Sequence, residues 1–287
     1  MKGLKKMKKL KREQIDPYIL GALREDMNAG DLTTEGILDD EIGEVDLLAK
    51  EEGILAGLDV FLRVFQILDE DISCSFYFKE GDLVKPNDRI LSLRGRAQVL
   101  LSGERTALNY LQRMSSIASY TRKMVDQLDS PRVKILDTRK TSPNMRIFEK
   151  YAVTLGGGYN HRFNLSDGLM LKDNHIAAAG GLKKAVDKLR AAHPFVKKIE
   201  VEVEDMEGVK EAIEAKADII MLDNMDIETI KKAAEYINHR AIIECSGNIN
   251  MDNIGLYRDL DIDYISSGSI IYEASCLDLS MKNFRLV

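Results

Sequence analysis

The sequence contains no tryptophan, only 3 cysteines and only 5 prolines in 287 residues. So little proline, with 20 glycines, excludes collagen-like and proline-rich disordered chains. Cys74, Cys245 and Cys276 form no CxxC pair and have no neighbouring histidine, so neither a disulfide framework nor a zinc site is predicted. Scattered thiols suit a reducing compartment, and we expect a cytoplasmic protein.

Long apolar runs are missing as well, and no run reaches the length of a membrane span. Residues 1–12 are rich in lysine but lack the apolar stretch of a secretory signal and the arginine and serine typical of a transit peptide. Such an arm could contact nucleic acid or acidic lipid. The net charge of −6 and the lack of interleaved aromatic residues favour a solvated leader, so we predict neither a nucleic-acid nor a membrane partner.

What the chain does contain is enough apolar sequence, 45% of residues, to fill one large domain or two modest ones. Up to about residue 100 the pattern mixes helix and strand: residues 58–68 are apolar with a helical period, and residues 73–78 alternate like a strand. A long helix is predicted next, with Ser102 as its N-cap, Glu104 in its first turn and its end at Leu128.

The remainder alternates between strand and helix. Strands are predicted at 133–137, 169–172, 199–204, 219–223, 241–245 and 264–267. Helical stretches are predicted near 145–154, 177–192, 207–216, 227–238 and 250–260. Repeated strand–helix units indicate a parallel sheet, either an open doubly wound sheet or an incomplete barrel. Because no GxGxxG follows the first strand, we favour the barrel.

Chemistry in α/β barrels collects after the carboxyl ends of the strands, and here every predicted strand is followed by polar or charged residues. The basic ones are Arg139, Lys140 and Lys172, and the loop 156–168 adds His161 and Arg162 to this cluster. A local basic cluster on an acidic protein predicts small anionic ligands that carry carboxylate or phosphate groups. The alternative is internal ion pairing, which we expect for some of the set only.

The last two predicted strands each end in a serine–glycine pair, in Ser246–Gly247–Asn248 and Ser267–Gly268–Ser269. Hydroxyls and exposed backbone N–H groups before helices bind anions, and α/β barrels often bind a phosphate at this place. Each pair alone is typical of an ordinary turn, but two on consecutive strands predict a phosphate site.

Acidic residues form the third group. Glu200, Glu202 and Glu204 alternate with apolar residues, so they share one face of a strand. Glu202 or Glu204, together with Asp223, could hold Mg²⁺ through substrate phosphates, bind ribose hydroxyls or face a developing positive charge. A solvent-facing edge is the alternative, which a middle strand of a barrel does not favour.

Seven stretches together resemble the quinolinate phosphoribosyltransferase family, from about residue 16 to residue 272. They are 25–26 (ED), 30–34 (GDLTT), 103–109 (GERTALN), 137–141 (DTRKT), 156–162 (GGGYNHR), 171–175 (LKDNH) and 221–224 (MLDN). The resemblance implies an N-terminal α/β sandwich domain (1–115) and a C-terminal open, incomplete α/β barrel of the TIM type with six to seven strands (116–274). It also implies that the tail 275–287 returns to the first domain.

The resemblance also implies a pentosyltransferase reaction. Quinolinate and 5-phosphoribosyl 1-diphosphate would give nicotinate mononucleotide, CO₂ and diphosphate, with Mg²⁺, on the de novo route to NAD. The enzyme would be a homodimer, or a larger assembly such as a hexamer of dimers, in which Arg105 of one subunit completes the site of the other.

Site residues carry over position by position. Arg105, Arg139, His161, Arg162 and Lys172 would hold the two carboxylates of quinolinate, with Thr138 and Lys140 as neighbouring contacts. Glu202 and Asp223 would lie near the ribose and the magnesium diphosphate. The 5-phosphate loops would be formed by Ser246, Gly247, Asn248, Ser267, Gly268 and Ser269. Lys140, Lys172, Glu202 and Asp223 are the predicted catalytic residues, and either Lys140 or a water would protonate the carbon after CO₂ loss.

Two rival functions remain at this point. A related transferase acting on nicotinate would need no second carboxylate clamp. A phosphate-ligand sensor or a nucleic-acid binder using the lysine-rich arm would need no catalytic set.

Overall fold

The computed structural model describes residues 9–196 and 198–287, so most of the lysine-rich arm lies outside the described residues. The chain forms two compact units. The first contains the described residues up to Arg122, with Ser142–Gly157 and Ala274–Val287, and the second contains Lys123–Thr141 and Gly158–Glu273. The domain limits expected from the sequence, 1–115 and 116–274, stay a prediction. In the described part of the chain, no helix combines the length and apolar character needed to cross a bilayer.

The first unit contains an antiparallel four-stranded sheet and its helices. Its elements are α1 (Arg12–Asp26), α2 (Leu32–Glu35), β1 (Ile42–Ala49), β2 (Gly53–Ile54), α3 (Leu58–Leu68), β3 (Ser73–Phe76), β4 (Leu83–Val84), β5 (Arg89–Arg96), most of α4 (Ala97–Leu128), α5 (Arg146–Gly156) and β12 (Leu279–Leu286). The sheet order is β12-β1-β5-β3. The C-terminal strand β12 therefore pairs along β1, from Gly43 opposite Leu286 to Ala49 opposite Leu279.

The long helix α4 starts earlier than expected. Ser102 was predicted as its N-cap, but the helix begins at Ala97, directly after β5, so this prediction is wrong. Ser102 lies inside the helix and its hydroxyl donates to Asp31 at 2.9 Å. The stretch from Ala97 to Leu101 contains good helix formers and no breaker, which explains the earlier start. Farther along, the Ser119 hydroxyl accepts the Ile54 N–H at 2.8 Å, so α4 supplies a hydrogen-bond acceptor to the buried backbone of β2.

The second unit is built on six parallel strands. Its elements are the last turns of α4, β6 (Lys134–Leu136), β7 (Leu169–Leu171), α6 (Asp173–Ala179), α7 (Leu182–Ala192), β8 (Ile199–Val203), α8 (Met206–Glu214), β9 (Ile219–Asp223), α9 (Ile227–Ile237), β10 (Ile242–Ser246), a 3₁₀ turn (Ile254–Tyr257), β11 (Tyr264–Ser266) and α10 (Ser269–Tyr272). All six predicted strands are confirmed, with ends that shift by at most one residue. The sheet order is β6-β11-β10-β9-β8-β7.

The sheet forms an open α/β barrel, as predicted. Beside β6, a single parallel bridge joins Leu136 to Tyr159, and the Tyr159 N–H donates to the Ile135 carbonyl at 2.8 Å. The segment after Gly158 thus adds a short seventh pairing at the edge formed by β6. Because the connections between parallel strands contain helices, the carboxyl ends of all six strands lie at one end of the sheet.

Two helical predictions need correction. The stretch 177–192 is divided into α6 and α7, because Gly180 and Gly181 adopt φ values of +76° and +124° that end the first helix. The stretch 250–260 forms only a 3₁₀ turn. There the Asn253 side chain accepts the Asn250 N–H at 3.0 Å and the Asn250 side chain accepts the Asp252 N–H at 3.0 Å, so side chains compete with helical bonds.

Candidate active site

A cavity of about 490 Å³ opens at the carboxyl ends of the six parallel strands. All of its lining lies in the second unit, and it collects every predicted contact residue of that unit except Ser269. The lining residues are Thr138, Arg139, Lys140, His161, Arg162, Met170, Lys172, Glu202, Met221, Asp223, Asn224, Ser246, Gly247, Asn248, Ile249, Ser266, Ser267, Gly268 and Tyr272.

Positive charge is crowded on one side of this cavity. Arg139 and Lys140 are exposed, and their side chains make no hydrogen bond or salt bridge to a described residue. The guanidinium of Arg162 is half-buried and donates to the Gly168 carbonyl at 3.1 Å. Burial, and the like charge of Arg139, lower the pKa of Arg162, while Glu200 opposes the shift. Binding of a ligand with more than one negative charge would reduce the repulsion between these neighbouring cations.

The loop that carries His161 and Arg162 is anchored by a buried acid. One oxygen of Asp137, directly after β6, accepts the His161 N–H at 2.8 Å, and the other accepts the Asn160 side-chain amide at 2.5 Å. Asp137 is fully buried. The sequence motif contains Asp137 and Asn160, but sequence reasoning gave neither of them this anchoring role.

The predicted acidic residues separate into three environments. Glu202 lines the cavity and forms an ion pair with Lys172, whereas Glu200 is buried below it and Glu204 is exposed beyond the end of β8. Asp223 also lines the cavity and accepts the Asn224 side-chain amide at 2.7 Å. Of the acidic residues in the described ranges, Glu202 and Asp223 are thus the two that offer carboxylate oxygens to a ligand in the cavity.

The loop after β10 approaches the end of β9 so closely that only glycine fits at residue 247. Gly247 has φ +100°, and a Cβ there would lie 2.3 Å from the Asn224 Oδ1. The Asn248 side-chain amide donates to the same oxygen at 3.1 Å. The backbone N–H groups of Gly247 and Asn248 donate no hydrogen bond to a described residue and therefore remain available to an anion.

The serines of the next loop are used inside the protein. The Ser267 hydroxyl donates to the Ile249 carbonyl and lies 2.8 Å from the hydroxyl of Ser269, which is fully buried. Ser269 was expected to line a phosphate site, but its side chain does not reach the cavity. A phosphate at this loop would therefore be bound by Gly268 and by backbone groups.

Arg105 lies in the first unit, in α4, where it is exposed and makes no hydrogen bond or salt bridge to a described residue. Glu104 beside it is partly buried, which raises the pKa of its carboxyl, and the charge of Arg105 opposes that shift. Arg105 is therefore the one predicted contact that the second unit does not contain.

Sequence reasoning missed Glu244, which is buried in β10 and lies 3.6 Å from the His161 ring. Its signal was present, because Glu244 alternates with apolar Ile243 and Cys245 as the acids of β8 alternate with Ile199, Val201 and Val203. Met170, Met221 and Tyr272, which line the cavity, carried no such signal.

A second concavity, of about 850 Å³, lies at the amino ends of the strands and holds none of the predicted residues. Its two strand-end acids, Asp218 and Asp263, accept the backbone N–H groups of Ile199 and Ile243, each at 2.9 Å. These acids accept hydrogen bonds from backbone N–H groups near the starts of β8 and β10, so this end of the barrel has a structural role.

An open α/β barrel with a basic cluster, two glycine-containing loops and two carboxylates around one cavity defines a class of enzymes that act on phosphate- and carboxylate-bearing substrates. Comparison with known proteins is more specific. Residues 31–115 match the N-terminal domain, and residues 117–282 the C-terminal domain, of the quinolinate phosphoribosyl transferase family. The chain belongs to this family.

Known proteins match this chain over nearly its whole length. A probable nicotinate-nucleotide pyrophosphorylase [carboxylating] of Bacillus subtilis is 44% identical over 257 residues, which are 90% of this chain and 89% of the relative. A mitochondrial quinolinate phosphoribosyltransferase [decarboxylating] of Nicotiana glauca is 37% identical and covers 91% of this chain and 80% of its own. The crystal structure of NadC from Streptococcus pyogenes superposes with a TM-score of 0.95 at 50% identity, covering 98% of this chain and 100% of its own.

Proposed function

We propose that this protein transfers the phosphoribosyl group of 5-phosphoribosyl 1-diphosphate to quinolinate, with loss of CO₂, to give nicotinate mononucleotide and diphosphate. This is a step in NAD biosynthesis. One observation carries the proposal: in a chain of this family, a single cavity holds a cluster of basic side chains, two anion-binding loops and two carboxylates. The names of the relatives are those of this reaction.

The basic cluster has to bring together two polyanions. Quinolinate carries two carboxylates and the sugar diphosphate carries several charges, so they repel unless the protein neutralises them. Arg139, Arg162 and Lys172 would hold the pyridine carboxylates, with Thr138 and His161 beside them, and place the ring nitrogen against C1 of the ribose. Lys172 pairs with Glu202, so quinolinate would compete with Glu202 for this ammonium.

The acidic pair would act on the sugar. As diphosphate leaves, C1 becomes positively charged, and the carboxylates of Glu202 and Asp223 stabilise that charge or bind the ribose hydroxyls. Their hard oxygen atoms also fit Mg²⁺, which would be held through the diphosphate and would supply charge neutralisation to the leaving group. The 5-phosphate would rest on the loops of Ser246–Asn248 and Gly268.

Loss of CO₂ needs no separate cofactor in this proposal. Once its nitrogen is bonded to the ribose, the pyridine ring is cationic. When the carbon–carboxylate bond breaks and CO₂ leaves, the electron pair stays on the ring carbon, where the adjacent positive nitrogen stabilises it. The carbon then takes up a proton. Lys140, which is exposed at the cavity and lies against Gly268, or a water molecule would supply it.

Arg105 supports a shared active site. We propose a homodimer, or a larger assembly of dimers, in which Arg105 of the partner subunit reaches the quinolinate carboxylates. Arg105→Ala is expected to abolish turnover without loss of folding, and so is Lys172→Ala. Heterodimers of the two variants contain one intact composite site, so mixing them should restore up to about half of the activity per dimer. No recovery in heterodimers verified by mass would rule out the shared site.

The decisive assay follows CO₂ and diphosphate from quinolinate and 5-phosphoribosyl 1-diphosphate in the presence of Mg²⁺. We expect both products in equal amounts, and far slower turnover of nicotinate, which lacks one of the clamped carboxylates. Preferred use of nicotinate would favour the rival transferase. Salt-dependent binding of DNA or RNA without release of diphosphate would favour a binding protein. We also propose that this protein acts in the cytoplasm, because its three free cysteines fit a reducing compartment.

A further inference from the structure

Two buried acids lie against His161, and neither has a part in the proposed reaction. The Nε2 atom of His161 is 3.2 Å from the Glu200 carboxylate and 3.6 Å from the Oε1 of Glu244. The side chains of the two acids are only 7% and 2% exposed, while His161 lines the cavity above them.

The register of the barrel explains how the acids meet. Strand β9 separates β8 from β10, and Glu200 pairs with Ile219 whereas Glu244 pairs with Met221. Met221 lines the cavity, so its neighbour Glu244 projects to the interior of the barrel as well. Glu200 precedes Glu202 by two residues and projects to the same side, one layer deeper.

Burying these two acids beside one histidine lowers the stability of the fold. Two carboxylates share a buried space with one histidine, and the Oε1 of Glu244 has no hydrogen-bond partner among residues 9–196 and 198–287. Burial and the charge of Glu200 raise the pKa of Glu244 to about 7, and His161 opposes the shift. An apolar side chain of similar size would avoid this cost, so the acids are better explained by a role in the site.

The ring of His161 connects the acids to the basic cluster. Its Nδ1 accepts the backbone N–H of Arg162 at 2.7 Å, so the proton of the neutral ring lies on Nε2, toward the acids. The backbone N–H of His161 is itself held by Asp137 at 2.8 Å. The ring orientation and the main chain at Arg162 are therefore set together.

We propose that Glu244, together with Glu200, is a positioning residue for quinolinate: the two acids fix the His161 ring, and the ring fixes the main chain that carries the Arg162 guanidinium. The proposal rests on the proposed function, because it takes quinolinate as the ligand of Arg162. It predicts that the acids act on binding of the dicarboxylate and leave the phosphoribosyl donor untouched.

The test compares Glu244→Ala with the conservative Glu244→Gln. The alanine variant should raise the KM for quinolinate about 10- to 100-fold, as loss of a supporting group does elsewhere, with the KM for 5-phosphoribosyl 1-diphosphate within about 2-fold of wild type. Glutamine keeps the size of the side chain and an oxygen beside the His161 ring, so it should recover most of the loss. A matched control is Glu80→Ala, which removes a half-buried acid of the first unit whose pKa is also raised to about 7. It should leave both KM values unchanged.

A second readout needs no turnover. In ¹⁵N NMR spectra, the His161 ring, assigned by its loss in His161→Gln, should show the Nε2–H tautomer in the wild type and a mixture of tautomers in Glu244→Ala. An unchanged ring spectrum, or a rise in both KM values together, would overturn the positioning role. Absence of quinolinate turnover in the wild type would instead overturn the proposed function, while the ring spectra would still decide whether Glu244 orients His161.

Discussion

Replacing Gly247 by alanine tests the proposed phosphate loop most directly. The new Cβ would lie 2.3 Å from Asn224 Oδ1, 2.5 Å from its Cγ and 2.7 Å from its backbone nitrogen. Rotation of the Asn224 side chain relieves the first two contacts, but the third involves backbone, so the loop itself has to move. Alanine at φ +100° adds a conformational cost of about 1–2 kcal/mol.

The structure offers a control with the same backbone constraint and no clash. Gly81 has φ +83°, and a Cβ there would meet only a Leu155 methyl at 3.7 Å, which is ordinary contact. Gly81→Ala should therefore lose only the conformational term, about 1–2 kcal/mol. Gly247→Ala should lose a further ~1–3 kcal/mol for overpacking.

The assays are urea unfolding for stability and steady-state kinetics for the site. Because the loop of Gly247 would move away from the 5-phosphate, we expect its alanine variant to raise the KM for 5-phosphoribosyl 1-diphosphate about tenfold or more, with little change for quinolinate. Equal stability losses in the two variants, with an unchanged KM for the donor, would refute both the clash and the assignment of the loop.

Two predictions concern stability in the first unit. Arg113 donates to the fully buried Glu149 at 2.8 Å, so Arg113→Ala should lower the free energy of unfolding by about 3–5 kcal/mol, and adding Glu149→Leu should recover part of it in urea titrations; a double variant no more stable than the single one would contradict this. Burial raises the pKa of Glu80 to about 7, although N–H groups such as that of Gly57 oppose the shift. The Glu80 carboxyl therefore binds its proton more tightly in the folded state, and protonation adds up to about 3 kcal/mol to the free energy of unfolding. This contribution is complete below the usual carboxyl pKa and is lost as pH rises through 7. Glu80→Gln should unfold with a flatter pH dependence between pH 5 and 8, and parallel curves for the two proteins would argue against the shift.

The parallel barrel was predictable from the sequence because each of its strands is a short apolar run that ends in polar residues. Ile219–Asp223 was predicted without error for this reason. The helices were harder where side chains bond to their own backbone. Around Asn250 such bonds replace helical ones, and composition alone does not show which pattern wins.

The site was predictable to the level of which residues surround the cavity, because parallel strands deliver their carboxyl ends to one place. It was not predictable which charges pair with one another. The pairing of Lys172 with Glu202 depends on the adjacent positions of β7 and β8, while Arg139 and Lys140, in the loop after β6, form no ion pair with a described residue. Ser269 shows the same limit, since a hydroxyl beside a glycine is equally able to face a ligand or bond inward, and here it bonds inward.

Glu244 shows what kind of information decides such cases. Alternation along β10 places its side chain inside the barrel, but the depth at which it meets His161 depends on the register between three strands and on a loop 83 residues earlier in the chain. A buried acid that lacks a hydrogen-bond partner weakens the fold, whereas a basic cluster without a rigid support binds a planar dicarboxylate loosely. Glu244 carries the first cost and reduces the second. The stability and the kinetics of Glu244 variants should therefore change in different proportions from those of Glu80 variants.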